Sequence, residues 1–468
     1  MARGLAVSAA FLLAAQGCAV QPDYKRPPVE LPVAWKESAQ NPARDGNWWR
    51  VYADPALERL LEEALARNSN LQLAAARVDE ARALLAQADA AFYPSVDATF
   101  SRDRSLSSAA TGLLPPGAAR ERNNYRGALN VAYEVDLWGR LRTTAQAAQA
   151  DLLASEAARE TVRIALAADV AKGYFALRAL DSQVEATRRT LALRGEGLKL
   201  QRKRLDGGVI SEYDYRQLEA EAAAARAQLP PLERDREIQE AALAVLLGRS
   251  PKAIMDGSVS RNEESGAQLL PAVVPSGLPS ELLLRRPDLA EAEQRLVAAN
   301  ARVALARAAY FPSVQLTGFL GSEAQALSSL FSGPAGIWQF AAAVAAPIFA
   351  GGRLEAQVGA AEAREKQALA GYQGAIQNAF REVRVALAAQ SRARESFEAE
   401  GARAAALGSA LRLARLRYDN GLASQLDVID AERNLLAAEI ARHEALRAQR
   451  AAVADLYKAL GGERKGIP

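Results

Sequence analysis

Hydrophobic and polar residues alternate one for one between residues 125 and 137. Tyr125, Leu129, Val131, Tyr133, Val135 and Leu137 fall on one face, and Arg126, Asn130, Glu134 and Asp136 on the other. A period of two predicts a β-strand. A corresponding run later in the chain puts Trp338, Phe340, Val344 and Ile348 on one face, with Gln339 and small alanines on the other. Both runs reach the roughly 9–11 residues that a strand needs to cross a bilayer. Tyr125, Trp138 and Trp338 sit near the strand ends, where interfacial anchors belong. A strand burying one face against a soluble core would alternate in the same way.

Elsewhere the period is helical. No proline interrupts Gly139 to Leu205 or Gly352 to Tyr418. Each run of roughly 65 residues would make a helix about 100 Å long at about 1.5 Å per residue. Gly173, Gly195, Gly401 and Gly408 are expected to mark local irregularities in these helices. Return helices are predicted over 212–247 and 425–460. Leu446, Val453 and Leu460 recur every seventh residue, as do Leu422, Ile429 and Leu436, which is coiled-coil spacing. Pro230-Pro231 predicts a kink or break in the first return helix. Shorter helices are expected over 56–91 and 280–309, ended by Pro94 and Pro312.

These elements occur in two copies. Phe92-Tyr93-Pro94-Ser95-Val96 aligns with Tyr310-Phe311-Pro312-Ser313-Val314 at an offset of 218 residues, and Gly208-Val209-Ile210-Ser211 with Gly421-Leu422-Ala423-Ser424 at an offset of 213. Each copy therefore reads as a helix, two strands, a long helix, a tight turn and a returning helix. Gly208 and Gly421 supply the positive φ that a helix C-terminus favours, and Ser211 and Ser424 are N-caps for the next helix. Four strands cannot close a barrel, and an open edge is not tolerated in hydrocarbon. Three copies in a closed ring would supply twelve strands.

Composition fits long helices in close lateral contact. Half of the 468 residues are hydrophobic but only 6% are aromatic, and much of the apolar content is alanine. With 58 basic and 55 acidic residues, the net charge of +3 gives no nucleic-acid footprint. One cysteine and one histidine leave no internal disulfide and little scope for metal sites or catalytic triads. His443 lies within a predicted helix and reads as structural. No cofactor is expected, and an enzyme is the weakest hypothesis.

Residues 1–17 have the charged start, apolar run and small-residue end of a signal peptide. Leu13-Ala14-Ala15-Gln16-Gly17-Cys18 resembles a bacterial lipobox, which implies cleavage before Cys18 and acylation of that cysteine. Ala19 follows where aspartate would signal inner-membrane retention, so delivery to the outer membrane is implied. The bland alternative is a buried cysteine in a plain secreted protein. The domain organisation is then a signal peptide (1–17), an acylated extended segment (18–55), a first repeat (56–248), a linker (249–279), a second repeat (280–461) and a tail (462–468).

With the duplicated Pro-Ser motif, Pro22-Asp23-Tyr24-Lys25-Arg26-Pro27 and Arg417-Tyr418-Asp419-Asn420-Gly421 running into Leu426-Asp427-Val428-Ile429-Asp430-Ala431, the chain resembles the outer membrane factors of Gram-negative efflux pumps. These are the TolC-like channels, and the closest likeness is to the OprM/NodT lipoprotein branch. The resemblance covers nearly the whole mature chain. No single motif is specific; their order and spacing are. It implies a mainly α fold with a membrane β-barrel: a homotrimer with a twelve-stranded barrel in outer-membrane lipid and a coiled-coil tunnel across the periplasm. The implied partners are a periplasmic adaptor protein that meets the tip turns at Gly208, Ser211, Gly421 and Ser424, and an inner-membrane transporter of the RND type.

The resemblance also implies that Asp427 and Asp430 form carboxylate rings at a periplasmic gate. For Asp427 a helix-capping role competes, because Ser424-x-x-Asp427 has capping-box spacing, as does Ser211-x-x-Asp214. Asp430 corresponds to Gln217 in the first copy and has no such alternative. Part of the family latches the tip with an arginine where this chain has Ala423, so that latch is not expected here. Two other readings compete: the exit duct of a type I protein secretion system, which uses the same architecture, and a lipid-anchored periplasmic coiled-coil scaffold, against which the alternating strands with aromatic ends argue.

Overall fold

A computed structural model describes residues 24–28, 30, 47–108, 110, 117, 119–257, 259–261 and 279–462. The expected signal peptide and Cys18 lie outside the described residues. The chain divides into two compact units.

The first unit carries a four-stranded antiparallel sheet, β1 (Ser95–Leu106), β2 (Glu121–Val135), β3 (Ser313–Ala324) and β4 (Gly336–Ala345), paired in chain order. The two copies meet at the β2–β3 pair, where Leu129 faces Leu320 and Val135 faces Val314. β1 and β4 are the edges. β2 ends two residues earlier than the alternation predicted, because Asp136 turns away to cap the next helix, accepting from the N–H groups of Leu141 and Arg142, each at 3.0 Å. Ile348 likewise lies beyond β4, past Pro347, which cannot extend the ladder. Trp138 leaves the strand too. Its indole donates to the Pro312 carbonyl at 2.6 Å and stacks on Phe311.

Nine helices are described: α1 (Pro55–Arg67), α2 (Ser69–Ala90), α3 (Arg140–Asp206), α4 (Glu212–Leu246), α5 (Pro251–Asp256), α6 (Pro279–Arg285), α7 (Pro287–Ala308), α8 (Arg353–Asp419) and α9 (Gln425–Ala459). α3 and α8 are each an unbroken 67 residues, and their glycines do not disturb them. Gly173 instead marks a close approach, with Gln239 of α4 donating to its carbonyl at 3.2 Å. α4 is also unbroken, against the expected effect of Pro230-Pro231. The carbonyls that these prolines leave without a donor belong to Arg226 and Ala227, both exposed in the chain, where water can serve them.

The helices expected over 56–91 and 280–309 are each two helices. The reason is the same in both copies, reached by different chemistry. Asn68 is extended, its Oδ1 caps α2 by accepting from Asn70 and Leu71, and its Nδ2 donates to the Leu246 carbonyl at the end of α4 (2.8 Å). Arg286 precedes Pro287, which disfavours the helical conformation for it. Its guanidinium donates to the Ala459 carbonyl at the end of α9 (2.7 Å) and to Asp288 and Glu382. In both copies a returning helix thus ends on the break between two short ones. Gly248 and Gly461 close those returning helices with φ of +69° and +87°. A Cβ on Gly248 would lie 2.2 Å from the Arg67 carbonyl oxygen.

The second unit is held by a core in which Leu57, Leu61, Tyr174, Leu177, Leu243, Leu247 and Leu456 are almost fully buried. Trp48 stacks on Tyr457, and Tyr52 donates to the Arg450 carbonyl at 2.6 Å while its ring packs on Phe175. Of the heptad residues, Ile429, Leu436, Val453 and Leu460 are buried, whereas Leu422 at a turn is exposed.

Candidate functional site

The pairing register puts the apolar residues of the alternating runs that lie within the strands on one side of the sheet. Reading across the strands, Val96, Val131, Gly318 and Phe340 form one row. Ala98, Leu129, Leu320 and Trp338 form the next. Among the described residues nothing covers this face: Phe340 is 80% exposed, Trp338 71%, Leu320 66% and Phe100 64%. A continuous apolar surface of this kind marks contact with a partner or a membrane. The opposite side is mostly polar or small, with Phe319 and Ile337 as exceptions. There Asn130 donates to the Thr99 hydroxyl at 2.9 Å, Asn124 donates to Glu323 at 2.9 Å, and Arg126 lies over the Phe319 ring.

From Val135 to Gly127 the apolar rows cover eight residue steps, about 26 Å along a strand. A strand tilt of about 40° reduces this to about 20 Å, close to the roughly 25 Å apolar band of a barrel in lipid. Among the described residues, no helix is long and apolar enough to cross a membrane.

The second feature is the pair of helix turns. After α3, Val209 N–H returns to the Arg204 carbonyl and Gly208 N–H to that of Leu205. After α8, Leu422 and Gly421 repeat the pattern on Arg417 and Tyr418. Both are glycine-ended caps, with φ near +70° at Gly208 and Gly421. Ser211 and Ser424 then cap α4 and α9, each accepting from the N–H three residues on.

The capping box at Asp427 is complete, since its carboxylate accepts from both the Ser424 N–H and hydroxyl at 2.8 Å. Those bonds hold the Asp427 carboxyl below the usual carboxylate range, the hydroxyl contributing most. Asp214 takes only the hydroxyl, at 2.7 Å. Asp430 makes no capping bond but accepts from Arg433 at 2.7 Å. This is an exposed i,i+3 pair of the kind that contributes about 0.2–0.5 kcal/mol.

Tyr418 is a site residue that local sequence reasoning missed. Its hydroxyl accepts from Arg204 at 2.6 Å and from Gln201 at 3.2 Å, tying the end of α8 to the end of α3. Gln201 is buried there, and also approaches Gln425 at 3.4 Å. The partners stand more than 200 residues apart, so no spacing rule joins them. Among the described residues, no three His, Cys, Asp or Glu side chains converge as a metal site.

A profile of outer membrane efflux proteins matches residues 60–249 and 278–462. The chain is 36% identical to the probable efflux pump outer membrane protein TtgC of Pseudomonas putida, over 98% of its own length and 94% of that protein's. It is 32% identical to the probable outer membrane lipoprotein SilC of Salmonella typhimurium, over 98% of both. The solved structure of the Campylobacter jejuni CmeC outer membrane channel superposes with a TM-score of 0.89 at 26% identity, over 95% of each chain. The chain is thus an efflux channel protein of the outer membrane that extends into the periplasm. The apolar sheet face is what such a location requires, and the relatives are efflux channels rather than secretion ducts. On the profile match and the full-length likenesses together, the chain belongs to the outer membrane efflux protein family.

Proposed function

We propose that three copies of this chain close a twelve-stranded barrel and form the exit duct of a tripartite efflux pump. The observation that carries the reading is an exposed apolar face on a sheet whose outer edges, on β1 and β4, meet no further strand among the described residues. In hydrocarbon each unpaired N–H and C=O costs several kcal/mol, so the edges must meet edges of other copies. The apolar side then faces lipid and the polar side a wet lumen. The duct does no chemistry of its own.

The two repeats, 56–248 and 280–461, carry the tube, with 249–279 as the linker between them. Acylation of Cys18 anchors the N-terminus in the outer membrane; the lipobox supports this, as does a relative named a lipoprotein. The periplasmic adaptor docks at the turns containing Gly208, Ser211, Gly421 and Ser424, and delivers substrate from an RND-type transporter of the inner membrane. Asp430 narrows the tip as a threefold ring of carboxylates, and Asp427 supports it chiefly as the helix cap. Native mass spectrometry of the detergent-solubilised protein tests the assembly: a trimer is expected, and a monomer or dimer excludes the barrel. In planar bilayers Asp430→Ala should raise conductance and lower cation selectivity. If both stay at wild-type values, Asp430 is not at the gate.

A further inference from the structure

In the second unit a cavity of about 180 Å³ lies between α3 and α9, and the charge of its polar lining is dominated by cations. Arg178 and Ser182 reach it from α3, Arg442, His443 and Arg450 from α9, and Phe175 forms part of its wall. These positions recur at helical spacing, so the two helices present facing ladders of donors.

Among the described residues, carboxylates engage only part of this charge. Arg447, at the rim, is neutralised by Glu444, which accepts from it at 2.5 and 2.8 Å. Arg178 donates to the Tyr174 hydroxyl at 3.2 Å and lies 3.9 Å from Asp54. That carboxylate is already engaged by Tyr174 at 2.8 Å and by the first N–H groups of α1. Among the described residues, no side-chain hydrogen bond or ion pair holds the guanidinium of Arg442 or Arg450. Arg450 lies over the Phe175 ring at 5.0 Å, which orients it without neutralising it.

Burial, and next the Arg178 charge, hold the Arg450 guanidinium below its ordinary value. Burial and Arg442 do the same to the His443 imidazole. Asp54 and Glu444 engage Arg178 and Arg447, which leaves Arg442 and Arg450 without a carboxylate partner among the described residues, and an anion there offsets the cost of those partly buried charges.

We propose that this cavity is a binding site for a small oxyanion, a carboxylate or a phosphate, held by Arg178, Arg442 and Arg450. Planar guanidinium forks suit both anions, whose paired oxygens accept two parallel N–H bonds. The site lies on the helical part of the chain and is distinct from both the sheet face and the tip.

Isothermal titration of the full chain in detergent tests the assignment, with inorganic phosphate, succinate and chloride as probes at matched ionic strength. One saturable site per chain is expected for phosphate or succinate and none for chloride, and the tighter of the two names the natural chemistry. Arg442→Gln, at an exposed position that spares the fold, should weaken binding at least tenfold. Arg450→Gln should do the same, and Arg442→Lys should keep part of it. Absence of saturable binding for both oxyanions overturns the proposal, as does binding that neither glutamine variant alters. A third result also overturns it: Arg442→Gln lowers the unfolding temperature of the assembled protein in chloride while no oxyanion binds. The cavity would then belong to a carboxylate of a neighbouring copy.

Discussion

Val131 stands at the midpoint of the apolar rows, four residues from Val135 and four from Gly127, between Val96 and Gly318 on the neighbouring strands. At about 3.3 Å per residue it lies about 13 Å along the strand from either end of the face. A guanidinium placed there cannot easily reach an interface, and an arginine at the midplane of a barrel's lipid face costs about 2–4 kcal/mol. Val131→Arg therefore loses that amount per chain, or about 6–12 kcal/mol per closed ring of three copies. Ala132, one residue on, points to the opposite, polar side and pairs with Ser95 and Thr317. Ala132→Arg adds the same charge and bulk without the transfer cost. Urea unfolding in phospholipid vesicles, followed by fluorescence of the tryptophans that include Trp338, measures both. A loss of at least about 2 kcal/mol for Val131→Arg, against less than about 1 kcal/mol for Ala132→Arg, is expected. Equal losses would refute the lipid-facing parity, because the two substitutions differ only in the side of the sheet they address.

Three further outcomes follow from local geometry. Tyr418→Phe deletes the acceptor shared by Arg204 and Gln201; it should raise channel conductance in planar bilayers, whereas unchanged conductance would show that the tie carries no closing force. Gly248→Ala should destabilise the protein by more than about 2 kcal/mol, because the new Cβ meets backbone, whereas Gly208→Ala, at a similar φ but in open space, should cost only about 1–2 kcal/mol; thermal unfolding of the pair in detergent distinguishes them. Glu63 is held below its ordinary 4.5, chiefly by the hydrogen bond from Arg249. A depressed carboxylate stabilises fully above its unfolded value, and that stability is lost as pH falls through the lower folded value. Glu63→Gln should thus unfold more easily than wild type at pH 7, and the gap should close as the pH falls below 4.5 through the lower folded value; a gap that does not narrow would disprove the linkage.

What the sequence made legible was whatever repeats at short range. The alternation at 125–137 located β2 to within a few residues, and the Ser-x-x-Asp spacing anticipated the Asp427 cap. Long-range partners left no such trace. Asn68 looks like an ordinary helix residue until its amide is seen on the Leu246 carbonyl, 178 positions away. Its counterpart Arg286 does the same task with a guanidinium, so even the internal comparison of copies hides the shared role. Local rules also erred where context outweighed them. Pro230-Pro231 ought to end a helix, yet each proline fixes φ near the helical value, and the carbonyls they orphan are exposed. At the tip, Asp430 is legible as an acid without a capping role, but its ion pair with Arg433 depends on side-chain geometry that the spacing alone does not fix.

The two unpaired edges, β1 and β4, have a genetic consequence. In the proposed trimer each edge is completed only by another copy, so one chain with a spoiled edge leaves a gap that two sound chains cannot close. In a cell making mutant and normal chains in equal amounts, only roughly one ring in eight would contain normal chains alone. A lesion on β1 or β4 should therefore behave as dominant negative, while an equally severe lesion at the deep bend beneath Gly248, which removes its own chain before assembly, should be recessive.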